Sequence, residues 1–256
     1  MTTDERQVAL ISGAGRGIGL AIAARLAADG VQIVMLDMPD VAPDACLAAV
    51  AAAGGACLAI AGDVTLASDW RRAVAAALEH FGRLDIVVNN AGISGAVASV
   101  LEYPEQTFDR VMAVNVRGVF LGIKYGGAAM GERGGAIVNI ASVSGLSGSR
   151  SIAAYTASKH AVIGLTKVAA LDLAPRKIRV NAVCPAPTAT QMVADLETTL
   201  APSNPEAVRQ RLWDSIPLGR YGEPGEIAEA VAFLAGPRAA FITGAALTVD
   251  GGMLAS

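Results

Sequence analysis

Ser12-Gly13-Ala14-Gly15-Arg16-Gly17-Ile18-Gly19 is the stretch on which the reading of this chain turns. An apolar, strand-like run at 7–12 leads into it, and a segment with helical spacing at 20–29 leads out. Glycine is needed where the backbone turns sharply and where it must come close to a pyrophosphate. A helix that opens directly after such a turn offers free N–H groups and the positive end of its dipole to that anion. The next apolar run, 31–36, ends at Asp37, which stands 18 residues beyond Gly19. That is close to the ~20 at which an acid meets the ribose of a dinucleotide. Asp37 would accept hydrogen bonds from the ribose hydroxyls and repel a 2′-phosphate, so NAD(H) is expected over NADP(H). Arg16 is a conflicting cation, but Met38 adds no second one.

Outward from the loop, strands and helices alternate. Strands are expected at 7–12, 31–36, 56–61, 86–89, 136–141, 179–183 and 246–249, and helices at 20–29, 45–53, 68–81, 107–130, 153–174 and 225–235. Such alternation predicts βαβ units, hence an α/β fold with a doubly wound parallel sheet and helices on both faces. No linker interrupts 1–256, so one domain is expected. Residues 191–218 break the rhythm with Pro202, Pro205 and Pro217 and read as an inserted flap. The uncharged stretch 45–62 approaches the length of a membrane span. Gly54-Gly55 divides it, and helix, glycine turn and strand is the better reading.

Composition narrows the function. Apolar residues make up 53% and charged ones 17%, which excludes a disordered chain. The net charge of -3 and the lack of a basic block argue against a nucleic-acid partner. The start, Met1 to Gln7, has no basic region leading into an apolar stretch, so no signal peptide is read there. Cys46, Cys57 and Cys184 are odd in number and fit no C-x-x-C pattern; three buried, reduced thiols in a cytoplasmic protein are expected. With only His80 and His160, no His-rich metal site is expected, and none of the patterns calls for a membrane.

The spacing Gly13-x-x-x-Gly17-x-Gly19 differs from the ordinary dinucleotide fingerprint and resembles the classical short-chain dehydrogenase/reductase family. The match runs along nearly the whole chain. Asp63-Val64 stands where that family contacts adenine. Asn89-Asn90-Ala91-Gly92 looks like its NNAG motif, which steadies the central strand and lies along the cofactor. Asn115 falls at the family's asparagine in the long helix, Ser142 follows the strand at 136–141, and Tyr155-Thr156-Ala157-Ser158-Lys159 is the Y-x-x-x-K signature. Asn181 and Pro185 open the segment near the nicotinamide. Seven matches in the family's order make the resemblance specific. It implies a single-domain Rossmann fold, with Gly13, Arg16, Gly17, Ile18, Gly19, Asp37, Asp63, Val64, Asn89, Ala91, Gly92, Tyr155, Lys159, Pro185, Thr188 and Thr190 holding NAD. It also implies a homotetramer built through the two long helices, whose small residues would permit close packing between subunits. Two departures stand out. Ser12 replaces threonine, and Ala186 stands where the family commonly has glycine, so its Cβ is expected to restrict the nicotinamide loop.

The chemistry follows from residue types. A phenol with a pKa near ~10 is a poor base at neutral pH. Tyr155 and Lys159, spaced i, i+4, share a helix face, so the lysine is expected to lower the phenol. Tyr155 then exchanges the proton of a substrate hydroxyl while Ser142 hydrogen-bonds the same oxygen. Ser142 is preferred over Ser144, Ser147, Ser149 and Ser151 because it lies 13 residues before the tyrosine. The resemblance assigns Lys159 to the nicotinamide ribose and Asn115 to a water on the proton path. The flap and the loop 93–103 should enclose the substrate. They carry Met192, Val193, Leu196, Leu200, Leu212 and Trp213, with Arg209 and Arg211 the only cations suited to a phosphate. An uncharged, fairly apolar secondary alcohol or ketone, alicyclic or aryl, is expected. A 3-oxoacyl thioester reductase, a sugar or polyol dehydrogenase, and a catalytically silent cofactor-binding protein are the alternatives.

Overall fold

The computed structural model describes residues 6–255; the first five residues of the segment read above as lacking a leader lie outside it. Among the described residues, β1 (Val8–Ser12), β2 (Gln32–Asp37), β3 (Cys57–Ala61), β4 (Ile86–Asn89), β5 (Gly135–Ile140), β6 (Ile178–Pro185) and β7 (Ala246–Val249) form one sheet of order β3-β2-β1-β4-β5-β6-β7. Every neighbouring pair is parallel. The central strands read as continuous apolar runs because both faces are covered. In β1 the alternation is visible: Ala9 and Ile11 face one core, Val8 and Leu10 the other.

The first core is closed by α1 (Gly17–Ala28), α2 (Asp44–Ala52) and α9 (Pro224–Ala235), through Ile22, Leu26, Val50, Ile227 and Val231. The second is closed by α3 (Ala67–Phe81), α5 (Gly118–Met130) and α6 (Ala153–Leu173), through Trp70, Leu121 and Ala169. Local sequence explains several ends. α3 stops at Gly82, which takes φ 76°. α9 opens with Pro224 and a reciprocal Glu223–Glu226 capping box. The Arg179 guanidinium on β6 donates to the carbonyls of Leu234, Ala235 and Gly236 and so closes the end of α9.

Three expectations change. The helix at 107–130 is two helices, α4 (Glu105–Met112) and α5, joined by a π turn at Ala113–Arg117. The flap is two further helices, α7 (Gln191–Leu200) and α8 (Pro205–Asp214), the latter capped by Asn204, whose Oδ1 accepts from Ala207 N at 3.2 Å. Cys57 is only half-buried, with its sulfur 3.9 Å from that of Cys46. The stretch 45–62 does fold as helix, glycine turn and strand. Among the described residues, no helix is long and apolar enough to cross a membrane.

Candidate active site

The strand order reverses between β1 and β4, so the loops that leave their carboxyl ends diverge and open a crevice. Gly13, at φ 70°, and Ala91 meet across it: a Cβ on Gly13 would sit 2.9 Å from the Ala91 Cα. The Ser12 hydroxyl accepts from the N–H groups of Asn90 and Ala91 (3.1 and 3.2 Å), and the Asn90 amide donates to the carbonyls of Ser12 and Gly13 (3.1 and 2.8 Å). Asn90 thus stitches the two loops together. The exposed Arg16 precedes α1, whose start carries no side-chain cap, leaving first-turn N–H groups for an anion. Thr190 closes over this cradle, its methyl 3.4 Å from where a Gly17 Cβ would be.

At the other end of the crevice, the Asp37 carboxylate is fixed by two N–H groups, Gly15 to Oδ2 and Met38 to Oδ1, each at 2.9 Å. A carboxylate has about four acceptor positions, so two remain for hydroxyls. Asp63 is half-buried and accepts from Thr65 N at 2.8 Å. Val64 is turned inward. Its carbonyl accepts from Trp70 Nε1 and its side chain packs on Gly118.

Asn89 steadies the central strands. It is 2% exposed, and its amide donates to Asn139 Oδ1 at 2.8 Å, while the Asn139 amide donates to Thr166. Its side chain therefore ties β4 to β5 and α6 inside the sheet. Asn90, quoted in the motif but not chosen as a site residue, does the work at the crevice.

Ser142, Tyr155 and Lys159 converge. Ser142 lies two residues beyond β5 and caps the short 3-10 turn at Val143–Gly145, where its Oγ accepts from Ser144 N at 3.1 Å. Three of the other four serines are engaged elsewhere: Ser144 with Ser149, and Ser147 with the Val143 carbonyl. Only a very close approach of this turn to α6 joins Ser142 to Tyr155. A Cβ on Gly145 would lie 2.7 Å from the Lys159 carbonyl oxygen. Gly145 was not singled out in the sequence, since a glycine in a serine-rich turn carries no sign of what packs on it.

Burial raises the Tyr155 phenol, and its side-chain hydrogen bond with Ser142 pulls the other way. The Lys159 ammonium lies 5.4 Å from the Tyr155 ring centre. It donates to the Ile140 carbonyl at 2.8 Å, and burial lowers it to about 8. At the phenol, desolvation outweighs the hydrogen bond with Ser142. Lys159 Nζ and the Asn115 amide both border Gly92, at 3.7 and 3.3 Å from its Cβ position.

Asn115 lies in the π turn. Its Oδ1 accepts from Ile93 N, and its Nδ2 donates to the Ile93 carbonyl and to Ser158 Oγ, all within 3.0 Å. Both amide protons are therefore bonded within the protein, and its side chain anchors the Gly92–Ile93 backbone. Pro185 ends β6 in a buried position. The Thr188 hydroxyl donates to the Ala186 carbonyl at 3.0 Å and that of Thr190 to the Thr188 carbonyl at 3.2 Å. Ala186 is not among the residues of positive φ, so its Cβ strains nothing; it packs in a cluster with Val143, Ile216 and Tyr221.

A seven-stranded parallel sheet with a glycine cradle at its switch point and a Ser–Tyr–Lys cluster beside it defines a nucleotide-dependent oxidoreductase architecture. Residues 13–254 match the family model described as Enoyl-(Acyl carrier protein) reductase. The 2-(S)-hydroxypropyl-CoM dehydrogenase 3 of Xanthobacter autotrophicus is 42% identical, over 98% of each chain. The cyclohexanol dehydrogenase of an Acinetobacter species is 41% identical, over 96% of this chain and 94% of its own. Among solved structures, levodione reductase superposes with a TM-score of 0.95 at 37% identity, covering 98% of both chains. An NAD+-bound xylitol dehydrogenase gives 0.91 at 39% identity over 96% of this chain and 98% of its own. A polyketide ketoreductase variant with NADPH gives 0.90 at 38%, covering 99% of both. The chain belongs to the classical short-chain dehydrogenase/reductase family, whose members bind a nicotinamide cofactor.

Proposed function

We propose that the protein is an NAD-dependent oxidoreductase that interconverts a secondary alcohol and a ketone, acting on an uncharged, fairly apolar, alicyclic or aryl substrate. The observation that carries the reading is the convergence of the Ser142 hydroxyl, the Tyr155 phenol and the Lys159 ammonium beside Gly92. The cradle of Gly13, Gly17 and Gly19 fits a dinucleotide, because a side chain at Gly13 or Gly19 would collide with backbone. When bound, the nicotinamide ring supplies hydride acceptance or donation. In ketone reduction, Tyr155 gives its proton to the carbonyl oxygen, and Ser142 donates a hydrogen bond to that oxygen. In alcohol oxidation Tyr155 takes the hydroxyl proton. Burial holds the phenol in its acid form in the free protein, which suits reduction. Lys159 holds the nicotinamide ribose, and Asn115 keeps the backbone at Gly92 in place.

Asp37 supports the choice of NAD: its carboxylate, already oriented by Gly15 and Met38, would repel a 2′-phosphate. The relatives named above that act on cyclohexanol and levodione support the substrate class. So does Arg209, read from sequence as a candidate phosphate ligand, because it is bonded to Glu197 instead. The assay is nicotinamide absorbance with a panel of secondary alcohols and ketones and both cofactors. Catalytic efficiency should be higher with NAD, and Tyr155→Phe should lower kcat by about 10²–10⁴-fold without weakening cofactor binding. Retained turnover in that variant sinks the acid–base assignment; better efficiency with NADP sinks the cofactor reading.

A further inference from the structure

Cys46 and Cys57 take no part in the chemistry described above, yet their sulfurs meet at 3.9 Å. Cys46 stands in the first turn of α2 and is buried; Cys57 opens β3, at the edge of the sheet, and is half-buried. Of the two residues, only Cys57 is open to solvent. Both belong to the core closed by α1, α2 and α9. Cys184 is buried on the other side of the sheet, with Val119 and Val162, and cannot join them.

The two thiols differ in character. Hydrogen bonds with the Cys46 thiol and with the Met35 backbone hold the Cys57 thiol below its ordinary range in spite of burial. The shared hydrogen bond, burial and the nearby Asp37 carboxylate push the Cys46 thiol up. Cys57 is thereby the one to react as thiolate, with a protonated thiol waiting beside it.

The pair also adjoins the cofactor crevice. Residues 38–43 join Asp37 to α2. Among them, Val41 occupies the place that a Cβ on Gly15 would take, and Asp37 Oδ2 lies 3.2 Å from that point. The Gly15 N–H is one of the two groups that orient the Asp37 carboxylate. A disulfide holds its sulfurs about 2.05 Å apart, so about 2 Å of separation has to close. β3 is pinned to β2 from the Cys57–Ile33 pair onward, whereas α2 starts without a side-chain cap. The start of α2 is therefore the part that gives, and residues 38–43 go with it.

We propose that Cys46 and Cys57 form a peroxide-sensitive dithiol, and that their oxidation to a disulfide weakens cofactor binding by shifting the start of α2 and the segment that covers Gly15 and Asp37. The proposal rests on the cofactor crevice described above, but not on the choice between NAD and NADP. The Cys57 thiolate attacks one oxygen of hydrogen peroxide. The O–O bond breaks, hydroxide leaves and takes up a proton to become water, and Cys57 becomes a sulfenic acid. The Cys46 sulfur then attacks the Cys57 sulfur. The S–S bond forms, the S–O bond breaks, and the departing hydroxide takes the Cys46 proton as a second water. The pair has lost two electrons and two protons, and the peroxide has become two waters.

The test treats the full chain with a small excess of hydrogen peroxide, removes it, and measures by calorimetry the affinity for whichever nicotinamide cofactor the reduced protein binds more tightly. The oxidised protein should bind it about fivefold more weakly or worse, the loss of one hydrogen bond to the ribose. Dithiothreitol should restore the affinity. The mass should fall by two hydrogens, with Cys46 and Cys57 resisting alkylation in denaturant while Cys184 reacts. Cys57→Ser and Cys46→Ala should each bind cofactor like the reduced wild type and lose the response to peroxide. Alkylation of both cysteines after treatment overturns the proposal. So does a disulfide that leaves affinity unchanged, a loss that dithiothreitol does not reverse, or a loss that persists in Cys57→Ser. The first three are read on the wild-type protein, whether or not the variants fold. A reduced protein that binds neither cofactor overturns the reading of the crevice and this proposal with it; normal binding followed by any of the four results above overturns this proposal alone.

Discussion

In the proposed reaction, Lys159 serves chemistry at a cost to stability. Its ammonium is 5% exposed and is met by a single neutral acceptor, the Ile140 carbonyl. Burial therefore lowers it from 10.5 to about 8. Below about pH 8 the folded protein must keep this buried cation. Between about 8 and 10.5 the folded state releases the proton before the unfolded chain does, so this group makes stability rise with pH across that window. Lys159→Met should therefore abolish turnover yet raise Tm at neutral pH. The desolvation relieved is about 3 kcal/mol at most, less about 1 kcal/mol for the lost hydrogen bond. The gain should be roughly 5 °C at neutral pH and shrink toward zero above pH 10. Calorimetry across pH checks this; a gain that does not fall with rising pH contradicts it. The pairing of Tyr155 with Lys159 was legible in the i, i+4 spacing. The direction of the phenol's shift was not, because desolvation depends on what the rest of the fold lays over it.

At the scale of elements, α5 carries the clearest lesson. Three of its glycines pack inside the subunit itself. Gly118 packs on Val64, Gly122 on Asn89 and Trp70, and Gly126 on Val87. Gly122→Ala would drive a methyl into the Asn89 amide and to within 2.7 Å of the Trp70 ring. It should destabilise the protein by about 1–3 kcal/mol in urea unfolding, because both neighbours are held in place. An unchanged midpoint would mean that α5 moves away freely. The π turn in 107–130 was invisible in sequence, since helical spacing continues through it. What accompanies it is tertiary, the Asn115 side chain bonding the Ile93 backbone. The two flap helices did leave a signal in Asn204-Pro205, a capping residue before a first-turn proline, which the surrounding prolines masked.

For the whole molecule, the outward faces of α5 and α6 matter. Phe120 is 45% exposed, Val168 58% and Leu171 77%. We propose that these faces bury one another in a homotetramer, by contact of large apolar side chains rather than through the glycines of α5. Light scattering should give four times the chain mass. Replacing Phe120 and Leu171 together by glutamate should lower that mass, because burying unpaired carboxylates across an interface is costly. A monomeric wild-type protein refutes the assembly.

The amino-acid sequence by itself determined the sheet and its cofactor crevice. Apolar runs with a period of two or none, helical runs, glycine punctuation and the acid after β2 are local, and local pattern is enough to specify βαβ units. It also placed Ser142, Tyr155 and Lys159, because each sits at a set distance from an element's end. Tertiary structure alone decided which polar groups stay free for function. Asn89 and Asn90 are neighbours, yet one is consumed inside the sheet and the other ties the crevice loops. Arg209 and Glu197 are 12 residues apart and cancel one another, while the buried Trp213 Nε1 has no partner among the described residues. Hydrogen-bond satisfaction and desolvation are properties of a side chain's full surroundings, and those exist only once the elements have packed.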